Sequence, residues 1–201
     1  MTYTIKCYYG NKIEEIIHDG SFDDFARKKV KEYKLFYKND ENYYHKIMWN
    51  YDEGESFDGE VRCYRMLKDS GLVPKYVEGK ILCTLEASTG DYYEIIKIAM
   101  IKTETCGKSL LDLYIPKDLR EKYCGPGEYI HHLDTIRDDI KYFFPEKYIP
   151  ATVFDKVVKI LNTLVKKYGI EHDDIHPGNF LEKDGKIYVI DFGCVSFRHN
   201  Q

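Results

Sequence analysis

Apolar and polar positions follow two different rhythms along the chain, and the change falls near Gly107. Before it the pattern predicts strands and turns. Tyr3 to Tyr9 and Lys12 to His18 are two runs separated by Gly10-Asn11, a turn dipeptide that predicts a β-hairpin. Lys34 to Lys38 and Tyr43 to Trp49 flank Asn39-Asp40-Glu41-Asn42 and read as a second hairpin. Val73 to Tyr76, Ile81 to Ala87 and Tyr92 to Lys102 read as further strands, with Ser88-Thr89-Gly90-Asp91 between the last two. One helix interrupts the series, about Ser56 to Ser70, with Gly71 as its left-handed cap. On its apolar face Phe57, Tyr64 and Leu67 are joined by Glu60. A carboxylate there must find a cation or water, because burying it alone is expensive.

After Gly107 the rhythm is helical. Ser109 to Tyr114 is a short candidate, and Leu119 to Tyr148 is broken by turns around Cys124-Gly-Pro-Gly127. From Pro150 to Tyr168 the spacing is clean: Phe154, Val157, Val158, Leu161, Leu164, Val165 and Tyr168 recur at three and four. Pro150 suits the first turn, Lys166 and Lys167 the last, and Gly169 the cap. A small hairpin follows, Phe180-Leu181, a turn at Asp184-Gly185, and Ile187 to Ile190. The expected fold class is α+β. A β-rich part spans 1–104, a connector lies near Glu104 to Gly107, and a mostly helical part spans 105–201.

Composition narrows the function classes. Of 201 residues, 43% are apolar and 15% aromatic, enough for a core and too many for a disordered chain. That length suits one domain or two small lobes. With 30 Lys and Arg against 34 Asp and Glu the net charge is −4, which removes the electrostatic case for nucleic acid as a partner. The basic run Arg27-Lys28-Lys29 with Lys31 and Lys34 reads as a solvated helix face. No secretory signal and no membrane-spanning apolar run is visible, so a soluble, cytoplasmic protein is expected. Six cysteines are scattered without a C-x-x-C pair and read as reduced thiols, mostly buried. His18, His45 and His131-His132 do not have the spacing of metal ligands.

The chemistry concentrates in His172-Asp173-Asp174-Ile175-His176-Pro177-Gly178-Asn179 and in Asp191-Phe192-Gly193 at the end of the following strand. In order and context, this pair of segments resembles the H-x-D-x-x-x-x-N and D-F-G motifs of the protein-kinase-like superfamily. Phosphoryl transfer rests on charge neutralisation and positioning rather than covalent chemistry. The resemblance implies ATP and Mg²⁺ as cofactors, with Asn179 and Asp191 as the metal ligands, a hard oxygen pair suited to magnesium. It makes Asp174 the group that accepts or orients the acceptor's proton, and His172 a brace for the loop. It extends backwards to Lys46, late in a strand, as the phosphate-holding lysine, and to Glu60 as its ion-pair partner. The segment from Glu104 to Cys106 falls where backbone groups would meet adenine. The implied architecture is a two-lobed kinase-like domain covering most of the chain.

Three departures shape the functional reading. No G-x-G-x-x-G precedes Lys46; Gly20-Ser21-Phe22 is the nearest hint, and Ser21-x-x-Asp24 reads better as a helix capping box. Asp173 stands where a basic residue is usual, and His176 where a lysine is usual, which makes the loop more like those of aminoglycoside-phosphotransferase-like kinases. The sequence runs only eight residues past Gly193, with no activation segment in them. The favoured expectation is a minimal protein serine/threonine kinase acting on a folded protein. A small-molecule kinase is the alternative, and a pseudokinase acting as a binding module the second.

Overall fold

The computed structural model describes residues 2–51, 56–90, 92–124 and 136–198. The chain divides into two compact units, Met1–Phe57 with Tyr76–Thr105, and Asp58–Lys75 with Cys106–Gln201.

The first unit is built on a five-stranded antiparallel sheet. β1 (Thr2–Tyr9) and β2 (Lys12–Asp19) form the expected hairpin around Gly10. They are followed by a helix, α1 (Phe22–Phe36), and then β3 (Tyr43–Tyr51). The expected strand at Lys34–Lys38 is therefore corrected, since most of it is the last turn of α1. Aromatic and aliphatic residues there resemble a strand locally, but Phe22, Phe25 and Ala26 set a helical stripe that is buried against the sheet. The basic run lies on this helix as expected, with Arg27, Lys28, Lys31 and Lys34 exposed. The Ser21 capping box is not formed: Ser21 occupies the N-cap, but its side chain makes no capping hydrogen bond.

The sheet order places β4 (Tyr76–Thr89) and β5 (Tyr92–Glu104) centrally, as β2-β1-β4-β5-β3. The run Val73 to Tyr76 contributes only its last residue to β4. Ile5, Cys7, Leu85, Ile96, Ile98 and Met100 pack with α1 on one sheet face. On β3, Ile47 is on that face. Lys46 pairs in register with Ile101 and lies, half-buried, on the opposite face, where Ala99, Ile101 and Thr103 are also buried.

α2 (Ser56–Leu67) ends sooner than the expected Ser70, and Ser70 and Gly71 form the turn beyond it. Its stripe is as expected, with Phe57, Glu60, Tyr64 and Leu67 all buried. In the second unit a short strand, β6 (Lys108–Ser109), leads into α3 (Leu110–Tyr114). Ser109 caps that helix by accepting the Asp112 backbone N–H at 3.0 Å. A 3₁₀ turn (Lys117–Tyr123) and α4 (Ile136–Ile140) follow. Gly125-Pro-Gly127 and His131-His132 lie outside the described residues. α5 (Ala151–Tyr168) matches the clean spacing, and Gly169 closes it at φ +65°. Beyond it come β7 (Ile170–His172), β8 (Phe180–Lys183), β9 (Lys186–Val189) and β10 (Val195–Phe197). β7 and β10 pair with each other, and β6-β8-β9 form a small sheet. Phe144 sits in the core beneath them, 6.2 Å from Phe154 and 5.6 Å from Phe180 between ring centroids. Among the described residues no helix is long and apolar enough to cross a membrane.

Gly107 marks the entry to β6 with φ +79°, and a Cβ there would lie 2.0 Å from the Glu182 carbonyl oxygen. Backbone cannot yield as a flexible side chain would. Gly107→Ala is therefore expected to cost about 1–3 kcal/mol. The measurement is the urea midpoint at unchanged m-value, and a midpoint equal to wild type would contradict the placement of β6 against β8.

Candidate active site

The motif residues of the second unit sit on two backbone segments that the fold ties together. His172 ends β7, the loop runs to a 3₁₀ turn at Pro177–Asn179, and β8 begins at Phe180. The hairpin β8–β9 then returns the chain, so that Ile190 and Asp191 follow directly after β9. A backbone group at such a junction must be paired if it is buried. The Ile190 N–H donates to the Asn179 carbonyl at 3.0 Å. The Ile190 carbonyl accepts from His172 Nε2 at 2.9 Å.

That bond fixes the imidazole. Because Nε2 donates, neutral His172 offers Nδ1 as an acceptor, and the Asp174 backbone N–H meets it at 3.3 Å. His172 is only 3% exposed, and burial pushes its pKa below the ordinary histidine range. Asn179, also buried, turns its side-chain amide to Asp174: Nδ2 donates to the Asp174 carbonyl at 2.8 Å and to its Oδ2 at 2.9 Å. The Asn179 side-chain oxygen is thereby pointed away from Asp174. Asp191 is one of two described non-glycine residues in the left-handed region, with φ +61°. Such a conformation is uncommon without glycine and places this carboxylate at a sharp turn immediately after the strand.

Surrounding contacts hold this frame. Phe192 is fully buried, with its ring centroid 5.3 Å from His172 and 5.5 Å from Tyr64 of α2. β10 pairs Val195 with His172, so the chain after Gly193 runs back along the strand that precedes the loop. Asp173 joins the same seam: its N–H donates to the Cys194 carbonyl at 3.0 Å and its carboxylate accepts from Ser196 Oγ at 2.7 Å. Arg198 pairs with Glu171 beside it. His176 is 8% exposed, accepts the Gly178 N–H on Nδ1 at 3.1 Å, and brings Nε2 within 3.5 Å of Asp174 Oδ2. A Cβ at Gly178 would fall 2.7 Å from this ring, so only glycine lets it lie there.

The second unit thus brings together His172, Asp174, Asn179 and Asp191. Glu60 and Cys106 belong to the same unit; Glu60 is fully buried in the α2 stripe, and Cys106 lies against the Tyr188 hydroxyl. Lys46 and Glu104 belong to the first unit, at β3 and the end of β5. Sequence reasoning missed the roles of Asp173, His176 and the left-handed Asp191. Only His176 carried a signal, the glycine that follows it by two residues.

The donor chemistry fits magnesium in one respect. Asp191 supplies a carboxylate and Asn179 an amide oxygen freed by the use of its nitrogen, and both are hard ligands. Among the described residues no group of three or more His, Cys, Asp or Glu side chains gathers into a metal cage.

No family model and no curated protein matches the chain. Among solved structures it is similar to the ROP18 kinase domain in complex with AMP-PNP and sucrose, at 16% identity and a TM-score of 0.44. The match covers 79% of this chain and 46% of that one, so the chain spans about half the length of that kinase domain.

The buried neutral His172 has a consequence for stability. Its folded pKa lies below its unfolded value of about 6.5, so the unfolded state binds the extra proton first as pH falls. Stability is therefore expected to drop below about pH 6.5, by up to about 1.4 kcal/mol per pH unit, until the folded pKa is reached. His172→Gln, which retains an N–H donor but cannot charge, should flatten that slope. Urea unfolding between pH 5 and pH 8 checks it, and equal slopes in the two proteins would contradict the assignment.

Proposed function

We propose that the chain is an ATP- and magnesium-dependent phosphotransferase whose acceptor is an alcohol, in the favoured case a serine or threonine of a folded protein. The observation that carries this reading is the Asn179 amide bridging to Asp174, with the Asn179 carbonyl bound to the residue before Asp191. Those bonds hold the Asp174 carboxylate beside Asn179 and tie Asn179 to the residue before Asp191, which supports reading the three as base, neutral oxygen donor and metal carboxylate. This is the arrangement that in-line transfer to a hydroxyl requires.

In this reading Asp174 accepts or orients the proton of the attacking hydroxyl, and its carboxylate is held in place by Asn179. Asn179 Oδ1 and the Asp191 carboxylate would hold magnesium, which when bound neutralises charge on the phosphates. His172 positions both segments and stays neutral. Lys46 is assigned to the phosphates, with Glu60 as its counter-charge, on the sequence resemblance alone. Backbone groups between Glu104 and Cys106 are assigned to the adenine.

A second reading, a kinase of small alcohols, is favoured by one feature. His176 lies over Gly178 beside Asp174, and the H-P-G-N sequence that builds this contact is the part of the loop that resembles small-molecule kinases. Transfer of labelled γ-phosphate from ATP to a panel of folded proteins, short peptides and small alcohols separates the two. Transfer to one folded protein supports the first, rapid turnover of a small alcohol supports the second, and no transfer to any acceptor contradicts both.

Binding can be tested apart from turnover. Magnesium-ATP at a hundredfold excess over its dissociation constant should stabilise the wild type by about 2.7 kcal/mol. Asp191→Asn, which tolerates the left-handed backbone while losing the charge, should abolish most of that gain; Asp174→Asn should keep it. Thermal shifts with and without nucleotide decide, and equal shifts in both variants and wild type would remove Asp191 from the metal site.

Lys46→Met should likewise lose the nucleotide-dependent shift, while its apolar stem keeps the strand packed. A full shift in that variant would leave the phosphates to another cation.

A further inference from the structure

Of the groups around Asp174, His176 is the one to which the proposed transfer gives no task. It is 8% exposed and stands in extended backbone, φ −150° and ψ 162°, at the start of the 3₁₀ turn. Pro177 after it disfavours a helical backbone at this position. Gly178 then leaves room for the ring, since a Cβ there would lie 2.7 Å from its Cε1 and 2.8 Å from its Nδ1. In that gap the Gly178 N–H donates to Nδ1 at 3.1 Å. The two residues that follow His176 therefore fix where its ring lies and how it is turned.

The bond to Gly178 also decides where the proton sits. Neutral imidazole has one donor nitrogen and one acceptor nitrogen. With Nδ1 accepting, the proton is on Nε2, and Nε2 lies 3.5 Å from Asp174 Oδ2. His176 then has no lone pair to offer a substrate hydroxyl, so it is not a second base beside Asp174. Its N–H faces the same carboxylate oxygen that accepts Asn179 Nδ2 at 2.9 Å. A separation of 3.5 Å is longer than a closed hydrogen bond, and catalytic contacts of this length tighten when a site is loaded. The Asp174 backbone is fixed independently, by its N–H on His172 Nδ1 at 3.3 Å. A carboxylate turns easily about its last torsion. A second donor on Oδ2 restrains the motion that the backbone bonds leave uncontrolled.

We propose that His176 is a positioning residue for Asp174: held by Gly178, it donates from Nε2 to Asp174 Oδ2 and, with Asn179, sets the direction of the carboxylate. Its kinetic consequence rests on the reading of Asp174 as the base in phosphotransfer, whereas the placement of the ring rests on the loop geometry alone. The His176 proton stays on Nε2 throughout, and no group passes to the ring. The coupling to Asn179 is direct as well, because the His176 carbonyl accepts the Asn179 N–H at 3.0 Å. The two donors to Oδ2 are thereby held to one another before any substrate arrives.

One measurement concerns the ring alone. In the full chain carrying ¹⁵N-labelled histidine, at mildly alkaline pH, His176 should show a protonated Nε2 and an unprotonated Nδ1. Asp174→Asn should shift its Nε2–H resonance. A proton on Nδ1, or a resonance indifferent to Asp174→Asn, would overturn the assignment. A second measurement separates the two nitrogens by substitution. His176→Asn puts an amide oxygen near the place of Nδ1 and keeps the Gly178 bond, yet does not reach Asp174. His176→Gln puts an amide N–H near the place of Nε2 and gives up the Gly178 acceptor. With ATP and the acceptor panel, His176→Asn should lower kcat by about tenfold to a hundredfold at little change in KM for ATP, and His176→Gln should recover most of that loss. A ring needed only to support the loop would give the reverse order, with His176→Asn close to wild type. That order, or equal losses in the two variants, would overturn the positioning role. Should either variant fail to fold, the ring measurement stands without it. If wild type transfers phosphate to no acceptor, the phosphotransfer reading fails, and the ring measurement still decides whether His176 faces Asp174.

Discussion

The site depends on how one backbone unit, that of Ile190, is satisfied. At the end of β9 its N–H and carbonyl leave the ladder of the small hairpin, and both find partners on the other segment of the motif. The N–H takes the Asn179 carbonyl, and the carbonyl takes His172 Nε2. Each bond is worth only about 0.5–1.5 kcal/mol net, but leaving such a group buried and unpaired costs more, so the pairing is effectively compulsory. The two partners then do further work. With its proton committed to Ile190, the His172 ring must accept on its other nitrogen, which fixes the Asp174 backbone. Asn179 accepts Ile190 on its backbone carbonyl and, separately, donates its side-chain amide nitrogen to Asp174. Two side chains thus couple the loop and the strand end, and Asp174 and Asp191 inherit their positions from that coupling.

Packing supplies what hydrogen bonds cannot, an orientation for the turn after the strand. Phe192 is wedged between Tyr64 and His172, and β10 lies against β7. A left-handed Asp191 persists because residues on both sides of it are held: Ile190 by its backbone partners and Phe192 by burial. Asp173 and Ser196 fasten the same seam from the exposed side. Asp173 is therefore used locally, as a strand tie.

Elements with a sustained period were legible in the sequence, and those set by partners were not. α5 announced itself through seven apolar positions, a first-turn proline and a closing glycine, and the first hairpin through its turn dipeptide. α1 was misread at its end because Tyr33 to Tyr37 is rich in aromatic and aliphatic residues, and only the buried Phe22–Phe25–Ala26 stripe shows which period prevails. β7 and β10 have three residues each, too short for any alternation to register, and exist because they pair with one another. The site divides in the same way. Residue identity and order were visible, whereas the His172 tautomer, the Asn179 orientation and the backbone of Asp191 follow from neighbours distant in sequence.

The sparse donor set has a thermodynamic corollary on the proposed reading. Two oxygens, from Asn179 and Asp191, satisfy only part of a magnesium shell that favours six ligands, and no further acidic cluster stands ready among the described residues. The remaining positions fall to water and to phosphate oxygens. Metal and nucleotide then each complete the other's site, and by linkage each must raise the other's affinity by the same factor. The frame around Ile190 makes this economical, because the two protein oxygens are ordered before either ligand arrives and little conformational entropy remains to be lost on binding.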